Sequence, residues 1–289
     1  MAEPLSVAVR RGEIVESVHR VHAVAVQDGK VVASAGDPKL SASLRSSAKP
    51  IQALLLARVR EDLDENDLAI ASASHFGTEM HVEAVRTLLR KTGGSETELD
   101  CGLQAGRPPE PIYHNCSGKH AAMIAVCRSR GWPVEGYRKP DHPLQRAMLE
   151  EVAATAEVEP DAIETGTDGC GVVCFALPLE RAAFAFSRLV GTRVAAAMRA
   201  RPELVGGNGG TDTELMRTLP GWIAKGGAEG LMCAASGDGL GIALKTQDGN
   251  SRALRPALAR FGVELDVDLS RFAEQTIENT HGEAAGTVG

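Results

Sequence analysis

Arg45-Ser46-Ser47-Ala48-Lys49-Pro50 (RSSAKP) stands where the chain changes character. Everything before it reads as strands. Ser6–Arg10 is one, and Ile14–Gln27 (IVESVHRVHAVAVQ) is Val-rich with polar alternation, as a half-buried strand is. Asp28-Gly29 then leads into Lys30–Ala35, which predicts a hairpin. Everything just after it reads as helix. Pro50–Arg60 (PIQALLLARVR) has helical composition with Pro near its start, where a missing N–H is tolerated. Met80–Lys91 places Val82, Val85, Leu88 and Leu89 on one face. Lys119–Arg130, Pro143–Glu157 and Pro178–Arg199 are also expected to be helical, the last with a break near Gly191. Strands return at Gly230–Ala235 and Leu240–Thr246, and Leu254–Phe261 closes as a helix. Strands at both ends and helices between them predict a mixed α/β (α+β) fold in one catalytic domain. Its antiparallel sheet lobe takes about residues 1–60 and 220–289, and its helical lobe about residues 61–219.

Composition limits the function. The net charge is -7, and Lys and Arg nowhere form a long run, which argues against nucleic acid as a partner. The N-terminus lacks a basic segment followed by an apolar one. No apolar run approaches the ~18 residues that span a bilayer. The expected location is the cytoplasm, away from membranes, where the six cysteines stay reduced. Cys127, Cys174 and Cys233 lie in apolar runs and read as small buried hydrophobes.

Ser46 and Lys49 are three residues apart, so on a helical turn their side chains share a face. A serine hydroxyl is a poor nucleophile until a base takes its proton. Lysine is that base only when burial or nearby positive charge lowers its pKa, and the positive end of a helix favours both the neutral lysine and the alkoxide. Pro50 disfavours helical backbone at Lys49, so the helix is expected to begin at Pro50 with the pair in the turn before it. Ser-x-x-Lys is common by chance, but here it follows a strand meander and opens an apolar helix, as in β-lactamases and penicillin-binding proteins. In that fold a Lys-(Ser/Thr)-Gly triplet edges the site and faces a serine of the helical lobe. Lys225-Gly226-Gly227, just before an expected strand, and Ser74, at the end of ASASHF, are the counterparts. Read alone, Lys225 is a loop lysine, and Ser74 or Thr78 is a helix cap.

Two further segments are rich in site chemistry. Asn115-Cys116-Ser117-Gly118-Lys119-His120 opens a helix, and Gly166-Thr167-Asp168-Gly169-Cys170-Gly171 is a glycine-rich loop. Glycines let backbone N–H groups approach a ligand and form an oxyanion hole. Asp168 suits the ammonium of an amino-acid substrate. Paired Cys-x-x-Cys zinc signatures are absent, so spacing alone does not assign a metal.

Nine stretches in order, VESVHRVHAVAV, RSSAKPIQ, ASASH, NCSGKHAAM, PDHPLQ, TGTDGCG, RPELV, AKGGAEG and DGLGIALKTQDGN, span about residues 8 to 250. Together they resemble the asparaginase II family, a class of L-asparaginases with Ser–Lys tandems and a serine β-lactamase-like fold. The resemblance implies hydrolysis of the side-chain amide of L-asparagine, with Ser46 the nucleophile and Lys49 its base. Ser74 and Lys225 match a second tandem that supports the first or relays protons to it. Arg45, His120 and Asp168 match substrate-contacting positions. Cys116, Lys119 and Cys170 match three ligands of a zinc site, and a homodimer is implied. The chain departs from the pattern at Gly206–Asp212, which is richer in glycine, and in a shorter helical region before Lys225. Its last residues, Gly282–Gly289, resemble a shortened tail. A glutaminase or other Ser–Lys hydrolase of this fold, and a zinc-binding protein without turnover, are the alternatives.

Overall fold

The computed structural model describes residues 2–289. The chain opens with β1 (Leu5–Arg11), β2 (Ile14–Gln27) and β3 (Lys30–Ala35), followed by the short β4 (Ser41–Ser43) and a 3-10 turn over Arg45–Ala48. Then come α1 (Lys49–Val59), α2 (Glu65–Ala71), α3 (Glu79–Thr92), α4 (Ser117–Arg130) and α5 (Pro143–Ala156). The middle continues through β5 (Thr165–Thr167), β6 (Val173–Pro178), α6 (Leu179–Leu189), α7 (Arg193–Ala200), α8 (Pro202–Gly206) and α9 (Thr211–Thr218). The last part holds β7 (Ile223–Gly227), β8 (Leu231–Ala235), β9 (Gly241–Thr246), α10 (Leu254–Glu264), β10 (Gln275–Glu278) and β11 (Ala284–Val288).

One eight-stranded antiparallel sheet is built from both ends of the chain, in the order β10-β11-β1-β2-β9-β8-β7, with β3 also on β2. The seam is the β2–β9 pairing, Val21 opposite Thr246 and Ala25 opposite Ile242. The C-terminal half of β2 is an unbroken buried run, and both α6 and α10 pack against the strand. Leu179, Ala182, Ala183, Phe186 and Leu189 form the inward stripe of α6. Each fully buried Leu or Phe contributes about 1.5–3 kcal/mol. The approach is close, since a Cβ on Gly241 would lie 2.0 Å from the Ala183 carbonyl oxygen. The tail, read as a shortened end, supplies β11 and fills the sheet between β10 and β1.

The helical part is organised around α1, buried from Lys49 through Leu56. It packs against α2, α4, α5, α6 and α7, so it has no polar face. A sheet from both chain ends joined to a helical lobe is the β-lactamase-like architecture expected. No helix among the described residues is long and apolar enough to cross a membrane.

The structure corrects several local expectations. The middle third also holds a three-stranded sheet, β4-β6-β5, which ties the Ser–Lys turn to the Gly166–Gly171 loop. Strands of three residues are too short to show a period of two. The break expected near Gly191 is present and divides the long helix into α6 and α7, and the Thr192 hydroxyl caps the second by accepting from the Ala195 N–H. Lys225-Gly226-Gly227 lies within strand β7. Lys49 is the first residue of α1, with φ -57° and ψ -42°, so the helix does not wait for Pro50. The 3-10 turn runs directly into α1, and this continuity overrides the local bias of a residue before proline. Cys127 and Cys233 are buried but Cys174 is half-exposed, and all six cysteines are free thiols.

Candidate active site

The Ser–Lys turn is held from both sides. Leu44 donates its N–H to the Phe175 carbonyl, 2.8 Å away, which joins the turn to β6. The buried Ser47 hydroxyl donates to the Lys225 carbonyl at 2.8 Å, which clips it to β7. Arg45 takes a left-handed backbone, φ 45°, a conformation that costs a non-glycine residue about 1–3 kcal/mol and recurs at active sites. Its side chain is anchored, with Nε donating to Asp168 Oδ1 at 2.7 Å. Ser46, the next residue, is half-buried. The contact between turn and strand requires glycine at 227, where a Cβ would sit 2.7 Å from the Leu44 carbonyl oxygen and 3.1 Å from Ser47 Oγ. Gly227→Ala is therefore expected to destabilise the protein by about 1–3 kcal/mol. It should also lower activity, which melting and turnover measured on one sample would show.

Lys49 is fully buried. Its Nζ meets three oxygens: the Ala73 carbonyl at 2.5 Å, the Ser74 hydroxyl at 3.0 Å and the Asn115 carbonyl at 3.3 Å. None carries a charge. Burial pushes its pKa from 10.5 down to about 8. The Cys116 charge opposes this, and the Lys119 and Lys225 cations add to it. The two carbonyls accept hydrogen bonds and cannot donate them. A neutral Lys49 therefore spends its two N–H bonds on them and presents its lone pair to Ser74.

Ser74 is fixed by its backbone. Its N–H donates to Val205, and the N–H of His75 donates to the Asn115 carbonyl that also faces Lys49. The Ser117 hydroxyl gives its hydrogen to the Ile112 carbonyl, so the bond between His75 Nε2 and Ser117 Oγ (2.8 Å) is donated by His75. His75 Nδ1 accepts from the Gly77 N–H, so the ring is neutral. Burial, with His81 and Lys49 beside it, holds its pKa well below the usual value. Thr78 rather than Ser74 precedes α3, and its hydroxyl bonds His81 Nδ1 instead of capping the helix.

On the far side of Lys49 lie the thiols. Cys116 is at the N-cap of α4, and Cys170 closes the glycine-rich loop. Lys119 Nζ donates to Cys170 Sγ at 3.1 Å and lies 3.5 Å from Asp168 Oδ2. A hydrogen bond from Cys170, and then the nearby lysines, pull the Cys116 thiol well below its usual value despite burial. Burial alone would lower Lys119, but the Cys116, Cys170 and Asp168 charges outweigh it and raise it. His120 is fully buried, with Nδ1 2.6 Å from Tyr137 Oη. Its Nε2 has no partner among the described residues.

Among the described residues no three His, Cys, Asp or Glu side chains are placed to hold a metal ion. A zinc ion here would take two sulfurs and the Lys119 nitrogen. The two sulfurs suit zinc, whereas a lysine nitrogen is not among its common donors; Lys119 Nζ is in contact with Cys170 Sγ, and the Cys116 thiol donates to Asn115 Oδ1. Binding would displace the ammonium proton and those of the thiols.

Lys225, also buried, is placed differently from Lys49. Its Nζ donates to Asp212 Oδ2 at 2.8 Å and to the Gly226 carbonyl at 2.9 Å. Asp212 Oδ1 accepts from the Gly226 N–H, also at 2.8 Å. Ser74 thus bonds to Lys49, and Lys225 to Asp212. No hydrogen bond joins Ser74 to Lys225, or Ser46 to Lys49, among the described residues. Sequence reasoning missed Ser47, Asp212 and the carbonyls of Ala73 and Asn115. Backbone acceptors leave no residue-type signal. Asp212 had a faint one, as an acid opening a helix just after the glycine run.

The fold joins an antiparallel sheet built from both chain ends to a helical part that begins at the Ser–Lys turn. The chain belongs to the L-asparaginase II family, which it matches over residues 7–289. No curated protein sequence matches it. Among solved structures it is similar to Mglu in its native form, with a TM-score of 0.51 and 13% identity over 86% of this chain. The chain spans 66% of the Mglu chain, just under two thirds of its length. A β-lactamase from Mycobacterium bovis aligns with a TM-score of 0.38 and 18% identity, over 80% of this chain and 88% of that one.

Proposed function

We propose that this protein hydrolyses the side-chain amide of L-asparagine to L-aspartate and ammonia, through a serine nucleophile activated by a neutral lysine. The observation that carries the reading is Lys49, a buried amine at the start of a helix whose three hydrogen-bond partners are all uncharged. Membership of the family supports the amide substrate.

Ser46 attacks the carboxamide carbon, and its proton passes by way of Ser74 to the Lys49 lone pair. The N–H groups of Ser47 and Lys49 are already given to the Leu44 and Ser46 carbonyls, so oxyanion stabilisation falls to donors facing Ser46 Oγ from outside the turn. The returning proton leaves with ammonia as the C–N bond breaks and an aspartyl ester on Ser46 remains. Water, deprotonated by the same lysine, releases aspartate. Arg45 has only Nε committed to Asp168, so its remaining N–H groups serve the substrate α-carboxylate. Asp168 and His120 are assigned to the ammonium end of the substrate.

Cys116, Cys170 and Lys119 would hold zinc, which when bound supplies Lewis-acid polarisation and fixes the loop. Cys116→Ser is then expected to lower the zinc content of purified protein severalfold, measured by elemental analysis; full zinc in that variant would remove Cys116 from the site.

The reading is tested by ammonia release from L-asparagine and, separately, L-glutamine. Release from asparagine at a kcat/KM well above that for glutamine supports it. Preference for glutamine, or no release from either, overturns the substrate assignment.

A further inference from the structure

Of the three buried lysines, Lys49 and Lys225 have opposite surroundings. Lys49 meets only neutral oxygens, whereas Lys225 meets a carboxylate. Asp212 comes from α9, and one of its oxygens holds Lys225 Nζ while the other holds the Gly226 N–H of the same strand, both at 2.8 Å. The aspartate thus fixes both the head group of Lys225 and the backbone beside it. Cα(226) cannot carry a side chain without pressing on this carboxylate, since a Cβ there would lie 3.1 Å from Asp212 Oδ1. The strand in turn receives the Ser47 hydroxyl at the Lys225 carbonyl, so Asp212 and the Ser–Lys turn are linked through one residue.

The remaining groups around Lys225 leave it one charged partner. Cys233 of β8 sits opposite it in register, and Lys49 of α1 is the nearby cation. The 3-10 turn gives the Ser47 hydroxyl to the Lys225 carbonyl. The arginines of the neighbouring α7 turn to carbonyls elsewhere, Arg193 to those of Ala57 and Leu63 and Arg199 to that of Val190.

We propose that Asp212 is a positioning residue that holds Lys225 as a fixed cation at the edge of the site, so that Lys49 alone exchanges protons with serine. This deepens the reading of a Ser–Lys amide hydrolase and rests on it. Lys225 then acts as charge: it favours the neutral form of Lys49 and faces the developing oxyanion. A proton-relaying Lys225 would need its lone pair, and a carboxylate partner opposes exposing one.

Two measurements separate this role from plain scaffolding. The first needs no substrate: a 15N–1H spectrum selective for lysine ammonium groups, with the Lys225 signal assigned by its loss in Lys225→Met. The wild type is expected to show a Lys225 ammonium protected from exchange, and Asp212→Asn to lose or broaden it while the backbone spectrum stays folded. The absence of that ammonium in the wild type, or its persistence unchanged in Asp212→Asn, overturns the proposal. The second is rescue with L-asparagine. Lys225→Arg, a cation that cannot act as a base, is expected to keep kcat within about tenfold of wild type, while Lys225→Met loses about 10²–10³-fold. Equal losses in both variants overturn the fixed-charge role. If the wild type releases no ammonia, the substrate reading fails, and the ammonium spectrum still decides the role of Asp212.

Discussion

Lys49→Met is expected to lower kcat for L-asparagine about a thousandfold, within the range that general bases contribute. Methionine has nearly the same length and fits the buried channel, so the fold should survive. The wild-type pH profile should carry the same signature. Only neutral Lys49 accepts a proton, so kcat/KM rises through about pH 8, where burial places its titration, and levels off above. Stability follows the same group. The folded pKa is about 8 and the ordinary value 10.5. Below pH 8 both folded and unfolded chains hold the proton, and the folded one bears the cost of a buried charge. Between 8 and 10.5 the folded chain has released the proton while the unfolded chain keeps it, so stability rises with pH across that window. The full amount is about 3 kcal/mol. Denaturant unfolding at pH 7, 9 and 11 should show the rise in wild type and its loss in Lys49→Met. A variant that keeps activity, or a wild-type rate flat across this range, would remove Lys49 as the base.

Ser46→Ala is expected to reduce turnover about 10⁴-fold or more, because loss of a nucleophile removes the covalent route itself. Ser74→Ala should cost less, about 10²–10³-fold, since it breaks the proton path and leaves the attacking oxygen in place. It also leaves the Lys49 lone pair without its one hydroxyl partner. The order of the two losses is the informative result. A larger loss in Ser74→Ala would make Ser74 the attacking group, a reading its direct bond to Lys49 also allows, with Ser46 in support. The melting temperature of Ser46→Ala should stay close to wild type, whereas Ser74→Ala also loses the bond that joins the α2–α3 connection to Lys49 of α1.

What was legible in the sequence follows from how local each signal is. The strand character of β2 and the turn at Asp28-Gly29 belong to single elements, and both stand in the structure, but burial along β2 is continuous from Val21 to Val26 instead of alternating. So does the change from strand to helix at RSSAKP. The sheet built from both ends followed from where the strands fell, although β7, β10 and β11 were not recognised as strands. The residues of the site were visible as types, but not the partnerships among them. Nothing in a spacing of 25 residues says that Ser74 meets Lys49, or that Lys225 meets an aspartate 13 residues before it. A lysine stem reaches several ångströms in many directions, and only packing selects one. Short elements such as β4, β5 and α8 were invisible for a related reason: a few residues hold too little pattern to show a period.

The central claim is that Ser46 becomes acylated by the side chain of L-asparagine. It is tested by quenching the enzyme in acid during turnover, digesting with trypsin and weighing the peptides. Ser46 and Ser74 fall in different peptides, residues 46–58 and 61–86, because trypsin spares the Lys49-Pro50 bond. The account predicts a mass increase of one aspartyl residue on peptide 46–58, located at Ser46 by fragmentation, present with asparagine and absent from Lys49→Met. Steady ammonia release with no acylated peptide, or with the acyl group on peptide 61–86, would contradict it.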